Sequence, residues 1–101
     1  MDVGKLFEPR DPATNDLVLD YAYGIKNDNY NFWHGIDDID TVGTFQYTTG
    51  GNLVITNWEV GQPGNVPNHH CVHSTPRGVT WKGKWDNYIC DTKYSSICEL
   101  I

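Results

Sequence analysis

The segment Asn57-Trp58-Glu59-Val60-Gly61-Gln62-Pro63-Gly64-Asn65, NWEVGQPGN, carries the strongest structural signal in this 101-residue chain. Residues 59–68 contain two glycines, two prolines and three asparagine or glutamine residues, which disfavours both helix and strand. This composition predicts a long structured loop. The tripeptide Trp85-Asp86-Asn87, WDN, again joins a tryptophan to carboxylate and amide side chains, so loop and tripeptide together suggest a polar site.

The composition around this loop indicates one small aromatic domain. Four tryptophans, six tyrosines and three phenylalanines, with ten glycines and five prolines, suit short strands joined by shaped loops. Thirteen acidic residues against seven basic ones give a net charge of −6, which repels nucleic acid phosphates. No apolar run approaches the roughly 20 residues of a membrane span, so we expect neither nucleic acid binding nor membrane insertion.

The cysteines Cys71, Cys90 and Cys98 all lie in the last third of the chain. No C-x2-C pair is present, which argues against a zinc motif and fits one disulfide with one cysteine left over. A disulfide in a small, loop-rich domain favours an extracellular location. The start of the chain, MDVGKLFEPR, lacks the apolar middle region of a signal peptide.

Short elements are predicted on both sides of the loop. A helix is expected over Asn15–Ala22, with Asn15 as its N-cap and Gly24 at its end. Gly50-Gly51 marks a turn between an alternating strand and a following extended segment at Leu53–Trp58. The strand candidates are Gly4–Phe7, Phe32–Ile36, Thr44–Thr49, His69–Ser74, Gly78–Trp85 and Ser95–Leu100.

Six fragments in order resemble the C-type lectin-like domain. FWHGI is similar to the W-I-G-L core signature of that family, and GTFQYTTGGNLVITNW to the strand, turn and strand before its long loop. QPG, HHCV, KWDNYIC and SSICEL resemble the remaining landmarks of the family, and the resemblance runs from about Gly4 to Ile101. It implies one domain over residues 1–101 with an α+β fold of short antiparallel strands, one helix and a long structured loop.

The resemblance also implies a shortened N-terminus and a specific pairing of cysteines. GKLFEP is similar to the family segment that follows the first helix, so the first strand and that helix are expected to be missing. Cys71 and Cys90 then form the loop disulfide, and Cys98 is unpaired and buried, or bonded to another chain. A homodimer or a partner chain is expected to cover the apolar face that the helix would occupy.

Carried over residue by residue, the family's calcium and sugar site falls on five positions: Gln62, Gly64, His69, Asp86 and Asn87. Calcium prefers hard oxygen ligands and high ligand charge, but Gly64 has no side chain and His69 offers nitrogen. Adjacent strand residues face opposite sides, so the order Asp86-Asn87, reversed from the family's Asn-Asp, exchanges carboxylate and amide. We therefore expect weak calcium binding or none at Gln62, His69, Asp86 and Asn87.

Several side chains have two interpretations. His69 and His73 share a strand face near Asp86, which would suit zinc, whereas the alternative is hydrated surface histidines. Trp81 and Tyr88 are candidate platforms for a sugar ring, and the alternative is that they pack in the core or at its rim. The remaining expectations are packed side chains at Trp33, His34, Trp58 and Trp85, and a solvated acidic turn at Asp37, Asp38 and Asp40.

The first functional hypothesis is a carbohydrate-binding lectin whose sugar site comprises Gln62, Gly64, Asn65, His69, Asp86, Asn87 and Trp81. The alternative is a domain of the same fold that binds a protein, with neither sugar nor calcium. Catalysis is not expected, because Ser74 beside His73 lacks the sharp-turn motif of a nucleophile. The expected partner is a glycan on a cell surface.

Overall fold

The computed structural model describes residues 4–27, 29–75 and 83–100 and has the expected α+β architecture. Its single described helix follows the first strand, and the remaining strands are short. The elements are β1 Gly4–Leu6, α1 Pro12–Ile25, β2 Phe32–Asp37, β3 Gln46–Tyr47, β4 His69–Ser74, β5 Trp85–Ile89, β6 Ser95–Ser96 and β7 Cys98–Leu100.

The strand β2 is the centre of the main sheet. Antiparallel partners give the order β3-β2-β4-β5, and β6 pairs with β2 in parallel. The strands β1 and β7 form a separate antiparallel pair that joins the two ends of the described chain. The long loop enters from β3 and leaves into β4, so it lies at the end of the sheet where β2 finishes.

The helix begins one turn earlier than the sequence predicts. Asp11 is the N-cap and accepts a hydrogen bond from the Thr14 backbone N–H at 2.9 Å, and Pro12 begins the helix. The prediction of Asn15 as N-cap was wrong, because an Asp-Pro pair is already an effective helix start. Asn15 is 1% exposed inside α1, and the helix passes Gly24 to end at Ile25.

Strand boundaries differ from the predictions where hydrogen-bond partners change. The prediction of β4 is confirmed over His69–Ser74, and β2 extends one residue past Ile36. Thr44–Thr49 is strand only at Gln46–Tyr47, and Leu53–Trp58 holds no strand beyond an isolated bridge from Trp58 to Trp85. Ser95–Leu100 divides because β6 pairs with β2 whereas β7 pairs with β1. Residues 78–82 of the predicted strand Gly78–Trp85 lie outside the part of the chain that the structure describes.

Two clusters form the core within the described residues. The larger one lies beneath the long loop and contains Ile36, Tyr47, Val72 and Trp85, with Trp58 packed against its edge. The smaller one joins α1 to β2 through Leu19, Tyr23 and Phe32. The predicted core positions Trp33 and Trp85 are 8% and 0% exposed.

His34 is packed as the sequence predicts. Its side chain is 2% exposed, and Nε2 forms a hydrogen bond with Ser74 Oγ. Nδ1 has no partner among the described residues. Burial, with the nearby His73 as a second cause, lowers the pKa of His34 to about 3, so the ring is neutral at physiological pH.

A buried carboxylate that the sequence did not reveal joins β1 to the turn after β3. Glu8 is 3% exposed and accepts hydrogen bonds from the Thr49 backbone N–H at 2.9 Å and from the Thr48 hydroxyl at 3.1 Å. Burial alone would raise its pKa. The bonds from Thr49, followed by those from Lys5 and Arg10, outweigh burial and lower the pKa to about 2.

The cysteine pairing is confirmed. Cys71 and Cys90 form a disulfide with their Cα atoms 5.1 Å apart. Cys98 is free and exposed, so the expectation of a buried thiol was wrong. The strand that carries it has β1 as its only strand neighbour in the described part of the chain, which leaves the thiol open to solvent. No helix among the described residues has the length and apolar character to cross a membrane.

Candidate functional site

The long loop is attached to β5 at its first residues. The Trp85 backbone N–H donates to Asn57 O at 2.8 Å, and the Glu59 N–H donates to Trp85 O at 2.9 Å. The Asn57 side chain adds a bond from Nδ2 to Gly83 O at 2.7 Å. These bonds continue the sheet by one bridge without forming a strand, so the loop departs from a defined position.

Asn87 holds the far side of the loop. Its Oδ1 accepts from the Gly64 N–H at 2.8 Å, and its Nδ2 donates to Gly64 O at 2.8 Å and to His69 O at 3.0 Å. The side chain belongs to a residue that is only 3% exposed. Both amide N–H groups and one lone pair of the amide oxygen are therefore engaged with backbone, and Asn87 positions the loop.

The absence of a side chain at Gly64 makes room for the amide of Gln62. The Gln62–Pro63 peptide bond is cis. The Gln62 Oε1 lies 3.0 Å from the position that a Cβ at residue 64 would occupy, and Asn87 Oδ1 lies 3.7 Å from it. Gln62, Gly64 and Asn87 are therefore brought together, as the family resemblance implies.

Asp86 lies on the opposite face of β5. Its Oδ2 is 3.8 Å from His73 Nε2, beside a cluster of rings that includes Trp33, Tyr88 and Tyr94. The alternation of a strand separates this carboxylate from Asn87, as the sequence predicts. Asp86 is therefore not brought together with Gln62 and Gly64.

These donors do not fit calcium. The loop side of β5 offers the Gln62 amide oxygen, a glycine without a side chain and an Asn87 amide that already bonds backbone, whereas the imidazole of His69 packs on Tyr88. Calcium requires several oxygen ligands with carboxylate charge, and the nearest predicted carboxylate, Asp86, faces the other way. No group of three histidine, cysteine, aspartate or glutamate side chains in the described segments could hold a metal ion. Of the residues suggested for zinc, His73 Nε2 lies 3.8 Å from Asp86 Oδ2, and the ring of His69 lies 4.9 Å from that of Tyr88.

A cavity of about 230 Å³ opens beside Gly64, where the hydrogen bonds of Asn87 hold the loop. It brings together three of the predicted sugar-binding residues, Gly64, Asn65 and His69, with the turn after β2. The lining residues are Asp38, Val42, Gly43, Phe45, Pro63, Gly64, Asn65, Val66, His69 and His70. Amides and imidazoles therefore share this cavity with apolar side chains.

One wall of this loop cavity is a carboxylate–imidazole pair that sequence reasoning missed. Asp38 Oδ1 lies 2.8 Å from His70 Nδ1, and Asp38 Oδ2 accepts from the Gly43 N–H at 2.8 Å. Asp38 is 5% exposed, so the expectation that this residue is solvated was wrong. The pair forms because β2 and β4 align Asp37 with Cys71, and only knowledge of that register would have revealed it.

The carboxylate fixes the orientation of the His70 ring. With Nδ1 engaged, Nε2 is the ring atom available to a ligand, since it makes no hydrogen bond to another described residue. The side chain is 31% exposed at the cavity. Tyr88, the other predicted sugar platform, packs its ring against His69 at 4.9 Å, and Trp81 lies outside the described residues.

Comparisons with known proteins agree with this architecture. The family model described as "Lectin C-type domain" matches residues 2–100. A mannose-binding protein of Gallus gallus is 32% identical over 96 residues, which cover 94% of this chain and 34% of that protein. A tetranectin-like protein of Carcharhinus perezii is 28% identical over 98 residues, 97% of this chain and 57% of that protein. The chain thus spans about a third to just over half of these relatives.

Solved structures show the same fold. The C-type lectin CEL-I from Cucumaria echinata superposes with a TM-score of 0.85 at 24% identity, covering 97% of this chain and 69% of that one. Human lithostathine gives a TM-score of 0.80 at 25% identity, covering 94% and 65%. The match to the family model extends over nearly the whole chain, and so the chain belongs to the C-type lectin domain family.

Proposed function

We propose that this domain binds carbohydrate through the loop cavity and does so without calcium. The observation that carries the proposal is the polar wall of that cavity, where the imidazole of His70 is oriented by the buried Asp38. Sugar hydroxyls need donors and acceptors held in fixed directions. The Asp38–His70 pair supplies one such group, the Nε2 atom of the oriented imidazole.

The rest of the cavity suits the two-sided character of a sugar. Asn65 borders it, and Gln62 next to Gly64 adds a further amide at its edge. The ring of Phe45 supplies an apolar surface for sugar C–H groups. His69 completes the set, so donors, acceptors and an apolar wall occur within one small space.

Independence from calcium is supported by the way the loop is held. Asn87 joins Gly64 and His69 to β5 through three hydrogen bonds. A bound ion at Gln62, Gly64 and Asn87 would have to displace these bonds, and none of these three residues carries a carboxylate. The loop is therefore positioned for binding by an amide of the protein itself.

A protein ligand at the same surface is the second candidate. Three valines around the loop are strongly exposed, Val42 at 72%, Val54 at 63% and Val60 at 96%. Exposed aliphatic side chains gain more from contact with a protein surface than from contact with a sugar. Binding to a glycan array distinguishes these two ligands.

We further propose an extracellular domain that covers its exposed helix face with another polypeptide. The disulfide supports an oxidising compartment. Leu17, Tyr21 and Ile25 on α1 are 71%, 73% and 63% exposed, which supports a second copy or a partner chain packed on this face. Ser74 is fully buried against His34, which supports a binding role over a catalytic one.

A glycan array with chelator, with calcium and with zinc tests the proposal. We expect binding to a defined glycan that is equal under all three conditions. Asn65→Ala and His70→Ala should each weaken that binding about tenfold, the effect of losing one or two hydrogen bonds. Asn52→Ala, an exposed amide outside the cavity, is the matched control and should bind normally.

Two results would contradict the proposal. Binding that disappears in chelator and returns with calcium would show that a metal site exists after all. Absence of glycan binding under every condition, in protein with a normal melting temperature, would favour the protein ligand.

A further inference from the structure

A second cleft lies at the opposite end of β2 from the loop cavity. It has a volume of about 200 Å³ and is lined by Asn29, Tyr30, Asn31, Lys93, Tyr94 and Ser95. They lie just before β2 and at the start of β6, whereas Asp38 of the loop cavity follows β2. A strand of six residues spans about 20 Å, so the two cavities are separate sites.

One wall of this second cleft is fixed by aromatic packing. The ring of Tyr94 lies 5.0 Å from that of Trp33 and 4.8 Å from that of His73. The Trp33 Nε1–H donates to Thr92 O at 3.0 Å and so ties the preceding turn to β2. Tyr94 is therefore held before any ligand arrives, which lowers the entropy cost of binding.

The other wall is attached to the same strand. The ring of Tyr30 stacks on Phe32 at 6.3 Å with an interplanar angle of 24°. The Asn29 N–H donates to Asn27 Oδ1 at 2.8 Å, which shapes the turn leading into Tyr30. Phe32 also pairs with Ser95 across β2 and β6, so the pairing of these two strands fixes the distance between the walls.

The polar groups of the second cleft are available to a ligand. The amide side chains of Asn29 and Asn31 and the hydroxyl of Ser95 make no hydrogen bond to any other described residue. Amides and a hydroxyl beside two tyrosine rings match the hydroxyls and the C–H patches of a sugar. The volume is suited to one sugar ring and not to a large cofactor.

The charge of the second cleft is opposite to that of the whole chain. The net charge is −6 with seven basic residues, yet Lys93 borders the cleft and Lys26 Nζ lies 5.8 Å from the centre of the Tyr30 ring. Neither lysine forms a salt bridge with a carboxylate in the described segments. An ammonium group without a partner favours an anionic ligand.

We propose that this second cleft binds an anionic sugar residue, a uronate or a sulfated hexose, as a site distinct from the loop cavity. The sugar ring lies against Tyr94 and Tyr30, its hydroxyls bond Asn29, Asn31 and Ser95, and its carboxylate or sulfate pairs with Lys93. The site needs no metal. It would let the domain hold an acidic glycan at a second point.

Backbone amide chemical shifts of the full chain, titrated with glucuronate, glucose 6-sulfate, glucose and sodium sulfate, test the assignment. We expect shifts at residues 29–31 and 93–95 with both anionic sugars, and much weaker effects with glucose or sulfate alone. Lys93→Gln should weaken binding of the anionic sugars about fivefold to tenfold and leave glucose unchanged. Lys84→Gln removes the same charge outside the second cleft and should change nothing.

Asn31→Ala serves as a second variant and should weaken all three sugars, because the hydroxyl contacts are common to them. Shifts confined to residues 62–70 would overturn the assignment while leaving the loop cavity supported. Equal binding of sodium sulfate and glucose 6-sulfate would also overturn it, since the second cleft would then recognise a simple anion. Unchanged affinity in Lys93→Gln would exclude the proposed ion pair.

Discussion

The core around Trp85 and the long loop are held by different kinds of interaction. Trp85 is fully buried, and its ring packs against His34 at 6.1 Å and Trp58 at 5.6 Å. The loop, by contrast, has no strand or helix between Leu53 and Asn68. From Glu59 onward it is joined to β5 by the backbone bond from Glu59 to Trp85 and by the side chain of Asn87.

This difference predicts how the two regions respond to change. Stability that comes from buried area is shared among many neighbours, and losing a large core residue affects the whole domain. Stability that comes from a few hydrogen bonds is local, and losing them releases one segment without unfolding the rest. Global stability and ligand binding should therefore be separable by mutation.

Trp85→Ala should have the largest effect and disrupt both regions together. Removing this side chain leaves a cavity among Ile36, Tyr47 and Val72, and we expect a loss of about 3–5 kcal/mol in the free energy of unfolding. Urea unfolding measured by fluorescence checks the value. Tyr21→Ala, an aromatic residue 73% exposed on α1, is the control and should cost under about 1 kcal/mol. A similar loss in both variants would contradict the assignment of Trp85 to the core.

Acidification should weaken the core next. The pKa of His34 falls from 6.5 to about 3 on folding. Between these two pH values the ring is protonated in the unfolded chain and neutral in the folded one. The contribution of the neutral His34 ring to the free energy of unfolding is present in full above pH 6.5 and is lost as the pH falls towards 3. We expect the free energy of unfolding to fall by about 2 kcal/mol between pH 6.5 and pH 5.

Urea unfolding at several pH values checks this loss. The range above pH 5 excludes Glu8, which contributes only as the pH falls from 4.5 towards 2. His34→Gln should flatten the slope in that range. An unchanged slope in the variant would assign the pH dependence to another group.

Asn87→Ala should have the smallest effect on global stability and the most specific one on the loop. Three hydrogen bonds are lost, which costs about 1–3 kcal/mol, mostly as local opening. Hydrogen exchange at the Gly64 amide should accelerate, and glycan binding should weaken. Asn52→Ala is again the control, and protection of Gly64 equal to wild type in Asn87→Ala would show that the loop is held by other contacts.

Local patterns predicted much of the fold. His69–Ser74, one of the short strand candidates, is β4 within its observed limits, and the family resemblance predicted the Cys71–Cys90 pair. The helix start was missed by one turn, although the Asp11-Pro12 pair was a readable signal. Strand ends at Thr44–Thr49 were beyond reach, because a strand stops where its partner stops and the partner is remote in sequence.

The candidate site was predicted in part. Strand alternation alone was enough to predict that Asp86 and Asn87 face opposite sides. It did not predict that Asn87 would bond Gly64 and His69 with its whole amide group. Nor did it predict the pairing of Asp38 with His70, since these residues meet only through the register of β2 and β4.

The sequence by itself determined the family and the order of the elements, because these follow from which residue types occur in which order. Only the tertiary structure decided which polar groups are already engaged and which face a cavity. Asn87 holds the loop, the pair of Asp38 and His70 borders the loop cavity, and Cys98 is exposed. The physical reason is that a polar side chain's role depends on the partners within hydrogen-bonding distance, and those partners come from distant parts of the chain.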